Sequence, residues 1–372
     1  MTDKTVKSTS RRKFLGGVAV AGAAAASLAK PAIAQANPEI KWRMPMFVPK
    51  TVDSVMDSAN DIVRRVSELT DGKFQIQSFG VGEIVPGGPA VLTAAEEGTT
   101  ECAFTLSYYS FGKDPAYAFG STLPFGPTIR GHYAWLFKNG GMELLNQFYE
   151  SKGTHAIPCG NSTMQMGGFF RKEVNTIQDL KGLKMRIPGL GGLVMSKLGV
   201  VPQQISPGDI YPALERGTID AAEWAGPHDD FKFGFYKVAP FYYGPGWWEP
   251  QASIWLHVNK AKWDALPKNY QAILEAACIA TCTTHNAKND VLNSAGLRSL
   301  LSNGAKLRYF SKEIMDAAYD AAFKTFDELG AKSEAWAKIY PSWKKHMDDN
   351  ELYYRVGDNT YENYIFEKRV KG

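Results

Sequence analysis

Cysteine is scarce in this sequence, four in 372 residues, and no C-x-x-C-H run or clustered set is present. Covalently attached haem and cysteine-ligated iron–sulfur clusters are thereby excluded. Cys278 and Cys282 stand four apart in a helical pattern, a poor geometry for a disulfide. Cys102 and Cys159 lie in apolar, strand-like stretches and read as buried free thiols. The six histidines, His132, His155, His228, His257, His285 and His346, show no metal-ligand spacing and read as scattered surface or core residues. Neither a G-x-S-x-G elbow nor H-E-x-x-H occurs, and "GLGGLVM" lacks the third glycine of a dinucleotide loop. Excess charge of one sign is also missing. Removing residues 1–34 takes away six of the 42 Lys/Arg and one of the 38 Asp/Glu, leaving 36 against 37 and a net charge of about −1. No polybasic patch survives, which argues against nucleic acid and anionic membrane as partners.

What is present begins with an address. "STSRRKFLGG" sets paired arginines, Arg11 and Arg12, before a mild Ala/Gly-rich run too short and too weakly apolar for a membrane span. The run ends in a small-x-small signature, Ala32-Ile33-Ala34. This reads as a twin-arginine export signal over residues 1–36, cleaved near Gln35 or Asn37, for a periplasmic protein. The remaining length corresponds to about two domains.

Along that remainder, "IKWRMPMF" reads as a strand, "SVMDSANDIVRRVSEL" as an amphipathic helix, "KFQIQSF" as a strand, "AVLTAAEEG" as a helix and "ECAFTLS" as a strand. A βαβαβ alternation predicts an α/β fold with a parallel sheet. The pattern restarts near residue 155 with "HAIPCGNSTMQMGGFFRK", long enough for a strand running between domains. "LKGLKMRIPG" and "VPQQIS" follow as strands, and "GDIYPALERGTI" as a helix capped by Asp209 and stopped by Gly217. "ASIWLHVN" reads as a strand returning to the first domain. The expected organisation is lobe I from 37–160 and 252–290, lobe II from 161–251 and 291–320, and a helical extension over 321–372. A cleft between two such lobes receives ligands at the carboxyl ends of strands.

Those ends carry Tyr108 and Tyr109, Asn161 and Gln165, Arg186, then Glu223 and Trp224 in "IDAAEWAGPHDD", and Trp247, Trp248 and Glu249 in "YYGPGWWEP". Each has an ordinary explanation. Arg186 at a strand end pairs with a nearby acid, Glu249 sits in a solvated loop, Gln165 satisfies backbone groups and the tryptophans pack the core. Jointly they pose a problem. If Arg186 grips an organic anion through its planar fork, two converging glutamates repel that anion unless one is protonated or a cation lies between them. Carboxylate, amide and carbonyl oxygens are hard ligands suited to Na⁺ or Ca²⁺.

"DLKGLKMRIPGLGG", "GDIYPALERGTIDAAEWAGPHDD" and "GFYKVAPFYYGPGWWEP", with the twin-arginine leader, resemble the solute-binding proteins of TRAP transporters, the DctP family, most of all its 2-oxo acid and lactate binders. The resemblance covers essentially all of the mature chain. It implies a two-lobed periplasmic binding protein that closes over a small monocarboxylate and delivers it to the TRAP permease membrane subunits. It further implies that Arg186 and Gln165 hold the ligand carboxylate, and that Gln165, Glu223, the Trp224 carbonyl and Glu249 share a cation. Tyr108, Tyr109 and Asn161 would touch the ligand's other end, with Trp248 also in the substrate set. Many family members carry a second arginine about twenty residues before the first; Gln165 and Met166 occupy that region here, which argues against large polyacidic ligands.

Beyond residue 320 the helices exceed what two lobes need, and Trp336, Tyr340 and Trp343 would be exposed on them. Packing on a partner subunit, a homodimer, is the expectation, with a helix folded back on its own domain as the alternative. Two rival functions remain at this level. One is an exported lyase or oxidoreductase using Glu223 and Arg186 for acid–base work on a small carboxylate, separable by a turnover assay. The other is a signalling module that senses the same ligand.

Overall fold

Trp42 and Met44 alternate with the exposed Lys41 and Arg43, and Phe74 and Ile76 with Gln75 and Gln77. Side chains of period two bury one face of a strand, so these segments form β1 (Ile40–Pro45) and β2 (Phe74–Phe79), paired in parallel from Ile40 opposite Phe74. The computed structural model describes residues 37–205 and 207–369; the export signal read at residues 1–36 lies outside them. From Ile40 onward the chain forms one unit. Helix α1 (Asp53–Leu69) joins β1 to β2, burying Met56, Ala59, Ile62 and Val66. Its outer face is laced by Arg64 and Arg65 to Asp61 and by Arg64 to Glu68. Helix α2 (Pro89–Glu96) leads to β3 (Cys102–Thr105).

Here the structure corrects the expected parallel sheet. β3 and β4 (Thr154–Asn161) flank β10 (Ser253–Asn259), and both pair with it antiparallel. An isolated parallel bridge, Met46 to Phe104, and a contact from Cys102 Sγ to the Arg43 carbonyl tie this sheet to β1. The returning strand, about 150 residues away in sequence from β3, takes the place that local alternation assigned to a neighbour. All of β10 except Asn259 is buried.

The second half is a six-stranded sheet in the order β11 (Lys306–Tyr309), β9 (Phe241–Gly244), β5 (Gly168–Phe170), β8 (Ala221–Ala222), β6 (Lys184–Arg186), β7 (Val201–Gln203). β5 runs antiparallel to both neighbours and the other pairs are parallel. The long stretch expected to cross between halves is two strands, β4 and β5, separated at residues 162–167. Helices α3 (Gly189–Lys197), α4 (Pro207–Glu215) and α5 (Pro227–Phe233) connect its strands. Asp209 lies in the first turn of α4, not ahead of it as the expected cap.

Helix α6 (Lys268–Ser302) has 35 residues, about 50 Å at 1.5 Å per residue. It packs on β4, α1 and α5, and so touches both halves. Gly296 permits the last of these contacts, since a Cβ there would meet the His228 backbone nitrogen at 2.6 Å. All four cysteines are buried and free.

The helices α7 (Lys312–Gly330) and α8 (Glu334–Tyr354) fold back on the same chain. Trp336 and Trp343 are buried, in contact with Phe119 and Phe326, and Tyr340 is half-buried. The expectation that these three rings are exposed for a partner is therefore corrected. The apolar residues left uncovered are further on: Leu352, Tyr353, Val356, Tyr361, Tyr364 and Phe366 are each more than half exposed, from the end of α8 into α9 (Thr360–Arg369). Among the described residues no helix is long and apolar enough to cross a membrane.

Candidate functional site

β6 and β8 are parallel neighbours with Arg186 opposite Ala222. The next residue after β8 is Glu223, whose backbone N–H donates to the Arg186 carbonyl at 3.1 Å. Adjacent carboxyl ends thus deliver a guanidinium and a carboxylate to one point. Arg186 Nη1 donates to the Glu223 carbonyl at 2.6 Å and also to Glu223 Oε1, and its guanidinium lies 5.2 Å from the centre of the Trp224 ring. Both side chains are buried, Glu223 completely.

The segment between β4 and β5 is strapped to this point by backbone bonds. Gln165 N–H donates to the Glu249 carbonyl at 3.3 Å, Gly246 N–H to the Gln165 carbonyl at 2.9 Å and Met166 N–H to the Ala225 carbonyl at 3.1 Å. Gly168 is required at the turn into β5. Its φ is +84°, and a Cβ would lie 2.3 Å from the Ala222 oxygen and 2.7 Å from the Glu223 Cα; glycine alone adopts such a backbone at no steric cost. Gln165 Nε2 donates to Glu249 Oε2 at 2.7 Å and to Ser162 Oγ at 3.1 Å.

Burial dominates the electrostatics. It pushes Glu223 up to about 7 against the opposing pull of Arg186. Glu249 is held well above the usual carboxylate range by burial and then by the charge of Glu223, while Arg186, Tyr108 and Gln165 oppose the rise. Two oxygens in this cluster, Gln165 Oε1 and Glu223 Oε2, are buried with no hydrogen-bond partner. An orphaned buried acceptor costs about 1–3 kcal/mol, more when charged. Two orphaned oxygens beside a pair of glutamates and one arginine form a set of hard donors with a deficit of positive charge, which fits Na⁺ or Ca²⁺.

Beside the cluster lies a cavity of about 60 Å³. Arg186, Gln165, Tyr108, Tyr109 and Trp224 line it, with an apolar belt that includes Phe47, Val52, Leu106 and Ile254. Two residues expected at the ligand are elsewhere. Asn161 is fully buried and spends Nδ2 on Ser253 Oγ and Gln251 Oε1, and it is absent from the cavity wall. Trp248 is packed against Trp247, Phe310 and Gly191; its indole nitrogen faces Glu223 without a hydrogen-bond partner. Glu223 and Glu249 stand behind the wall, not in it.

The wall also contains residues that sequence reasoning passed over: Ser54, Asp229, His285, Asn289 and Asn293. A readable signal existed for three of them, because 285, 289 and 293 recur every four residues and share one face of α6. His228 departs from the expectation of a scattered residue. Its ring, Asp53 and Asp229 bring ligand atoms within 4.8 Å of one another, although the two aspartates are far apart in sequence. Lys232 Nζ binds both Asp53 oxygens at 2.6 Å, so this group is an ion-pair cluster between α1 and α5.

The family model described as bacterial extracellular solute-binding protein, family 7, DctP, matches residues 48–333. A monocarboxylate 2-oxoacid-binding periplasmic protein of Nostoc sp. is 43% identical over 359 residues, spanning 95% of this chain and 98% of the relative. Among solved structures, a TRAP transporter solute-binding protein from Bordetella bronchiseptica is 48% identical with a TM-score of 0.87, over 90% of this chain and 99% of the other. It is a mixed-occupancy dimer with copurified calcium and picolinate in one site and an apo site. A TRAP periplasmic solute-binding protein from Pseudoalteromonas atlantica, with bound sodium and pyruvate, is 36% identical with a TM-score of 0.83, over 87% and 99% of the two chains. This chain belongs to the DctP family of bacterial extracellular solute-binding proteins and is a receptor of the TRAP transporter type.

Proposed function

We propose that this receptor captures a small 2-oxo or 2-hydroxy monocarboxylate, pyruvate-like or lactate, together with Na⁺ or Ca²⁺. Gln165, Glu223, the Trp224 carbonyl and Glu249 hold the cation, which supplies the positive charge that lets an anion approach two glutamates. The carboxylate of the acid lies on Arg186 beside Gln165. Both hydrogen bonds from Arg186 to Glu223 leave from Nη1, so the N–H groups on Nε and Nη2 remain for a ligand. The observation that carries this reading is the pair of orphaned oxygens, Gln165 Oε1 and Glu223 Oε2, beside Arg186. Cavity size supports it: about 60 Å³ has room for roughly four to six water-sized groups, the bulk of a three-carbon oxo acid. The cations and acids held by the Bordetella and Pseudoalteromonas relatives support it too.

The test is coupled binding. Protein stripped with a chelator and returned to metal-free buffer is expected to bind pyruvate about tenfold or more weakly by calorimetry, and Ca²⁺ or Na⁺ to restore it. Equal affinity with and without the ion would refute the shared site. Metal analysis and mass spectrometry of small molecules released from purified protein identify the pair.

The twin-arginine leader supports export to the periplasm, and the bound acid is passed to the TRAP permease membrane subunits. A homodimer completes the assembly. Six large apolar side chains uncovered between Leu352 and Phe366 form a surface of the kind that partners cover, and the Bordetella relative is a dimer. Deleting residues from 351 onward is expected to convert a dimer to a monomer by light scattering. A full-length protein already monomeric at micromolar concentration would remove this part of the reading.

A further inference from the structure

The cavity wall is charged at two places of opposite sign. Arg186 is the only described residue in it with a permanent positive charge, and Asp229 is the only carboxylate. Arg186 comes from β6. Asp229 comes from α5, and its two oxygens accept from a single side chain, the Ser54 hydroxyl at the start of α1, at 2.8 and 3.0 Å. That bond joins α5 to α1, and both residues line the cavity.

Burial raises the Asp229 carboxyl above its ordinary range, while Ser54, His228 and Lys232 pull it back toward the charged form. Lys232 is engaged by both oxygens of Asp53, and His228 Nε2 lies 3.6 Å from Asp53. Neither Lys232 nor Asp53 reaches the cavity wall. His285 Nδ1 accepts from the Asn161 N–H, and its Nε2 lies 3.1 Å from Asn289 Nδ2. Where Asp229 lines the cavity, a second carboxylate on a ligand meets like charge in a half-buried setting, where screening by water is reduced.

We infer that Asp229 is a specificity-determining residue that excludes acids carrying a second carboxylate, while accepting neutral alkyl or hydroxyl-bearing 2-oxo acids. Like-charge opposition of this sort discriminates by penalising the wrong ligand without adding a contact to the right one. The inference rests on the reading of the site as a 2-oxo acid receptor. It assigns to one side chain the choice between one carboxylate and two.

The experiment pairs two four-carbon acids, 2-oxobutyrate and oxaloacetate, on the full mature chain loaded with Ca²⁺, using calorimetry for the wild type, Asp229→Asn and Ser54→Ala. Wild-type protein is expected to prefer 2-oxobutyrate by at least a hundredfold. Asp229→Asn keeps the Ser54 contact and the shape; it is expected to hold 2-oxobutyrate within about threefold of wild type and to gain tenfold or more for oxaloacetate. Ser54→Ala, which leaves the carboxylate in place, is expected to retain the preference. An unchanged ratio in a folded Asp229→Asn protein, or a wild type that binds both acids equally, overturns the inference while leaving the receptor reading intact. A wild type that binds neither acid removes the receptor reading and this inference with it.

Discussion

Arg186→Ala is expected to lower affinity for pyruvate on the order of a hundredfold or more and to abolish its thermal shift. Removing one partner of a buried, hydrogen-bonded charge pair costs about 2–5 kcal/mol in binding, and tenfold corresponds to about 1.4 kcal/mol. The proposed carboxylate loses its planar fork, and at the same time Glu223, fully buried, loses its only described ion-pair partner. The protein itself is therefore expected to lose about 3–5 kcal/mol of stability. Binding and folding are separated by the companion Arg186→Lys. A lysine keeps the charge near Glu223 but presents a point donor in place of the fork, so stability recovers more than affinity does. An Arg186→Ala protein that is folded and shows the wild-type thermal shift with pyruvate would place the carboxylate elsewhere.

The second large effect concerns acid. His257 is completely buried on β10, with Ser107 Oγ 2.9 Å from Nε2 and Thr154 Oγ1 3.3 Å from Nδ1. Burial holds its ring neutral, pulling it from 6.5 down to about 3, with His155 adding to the fall. A depressed folded value makes the sign definite. Above pH 6.5 neither state binds the proton; below it the unfolded chain does and the folded one does not. Stability is therefore lost as pH falls from about 6.5 toward 3, by about 1.4 kcal/mol per pH unit for this one ring. His132, also lowered to about 3, and His285, lowered to about 4, act in the same direction. Buried carboxylates act oppositely over part of the range, since Asp230 is raised to about 8 and takes up its proton in the folded state.

The difference between wild type and His257→Gln cancels those shared groups. In urea titrations the variant is expected to be about 1–3 kcal/mol less stable at pH 7.5, from its poorer hydrogen bonds. The gap should close by about 1.4 kcal/mol per pH unit below 6.5 and reverse near about pH 5. A gap that stays constant from pH 7.5 to 4.5 would mean that His257 is protonated inside the fold.

Much of the candidate site is legible in the sequence because it obeys a local rule. Arg186, Glu223 and Glu249 were found as polar residues at the ends of apolar strands, and parallel pairing of β6 with β8 is what turns two such ends into one ion pair. Tyr108 and Tyr109 follow β3 for the same reason. Asn161 and Trp248 satisfied the rule equally well, yet Asn161 spends its amide on Ser253 and Gln251 and Trp248 fills the space opposite Gly191. Position at a strand end does not state which way a side chain turns or what it finds there.

By itself the sequence determined the strands and helices whose burial repeats every two or every three to four residues, and the types of residue gathered at the cleft. Only the tertiary structure decided what each buried face meets: β3 against β10, Trp336 and Trp343 against Phe119 and Phe326, and Asp229 against Ser54, 175 residues away. Periodicity records that a face leaves water, a free-energy gain indifferent to the partner. Partner identity depends on shape, distance and charge between segments remote along the chain, and those exist only once the chain has folded.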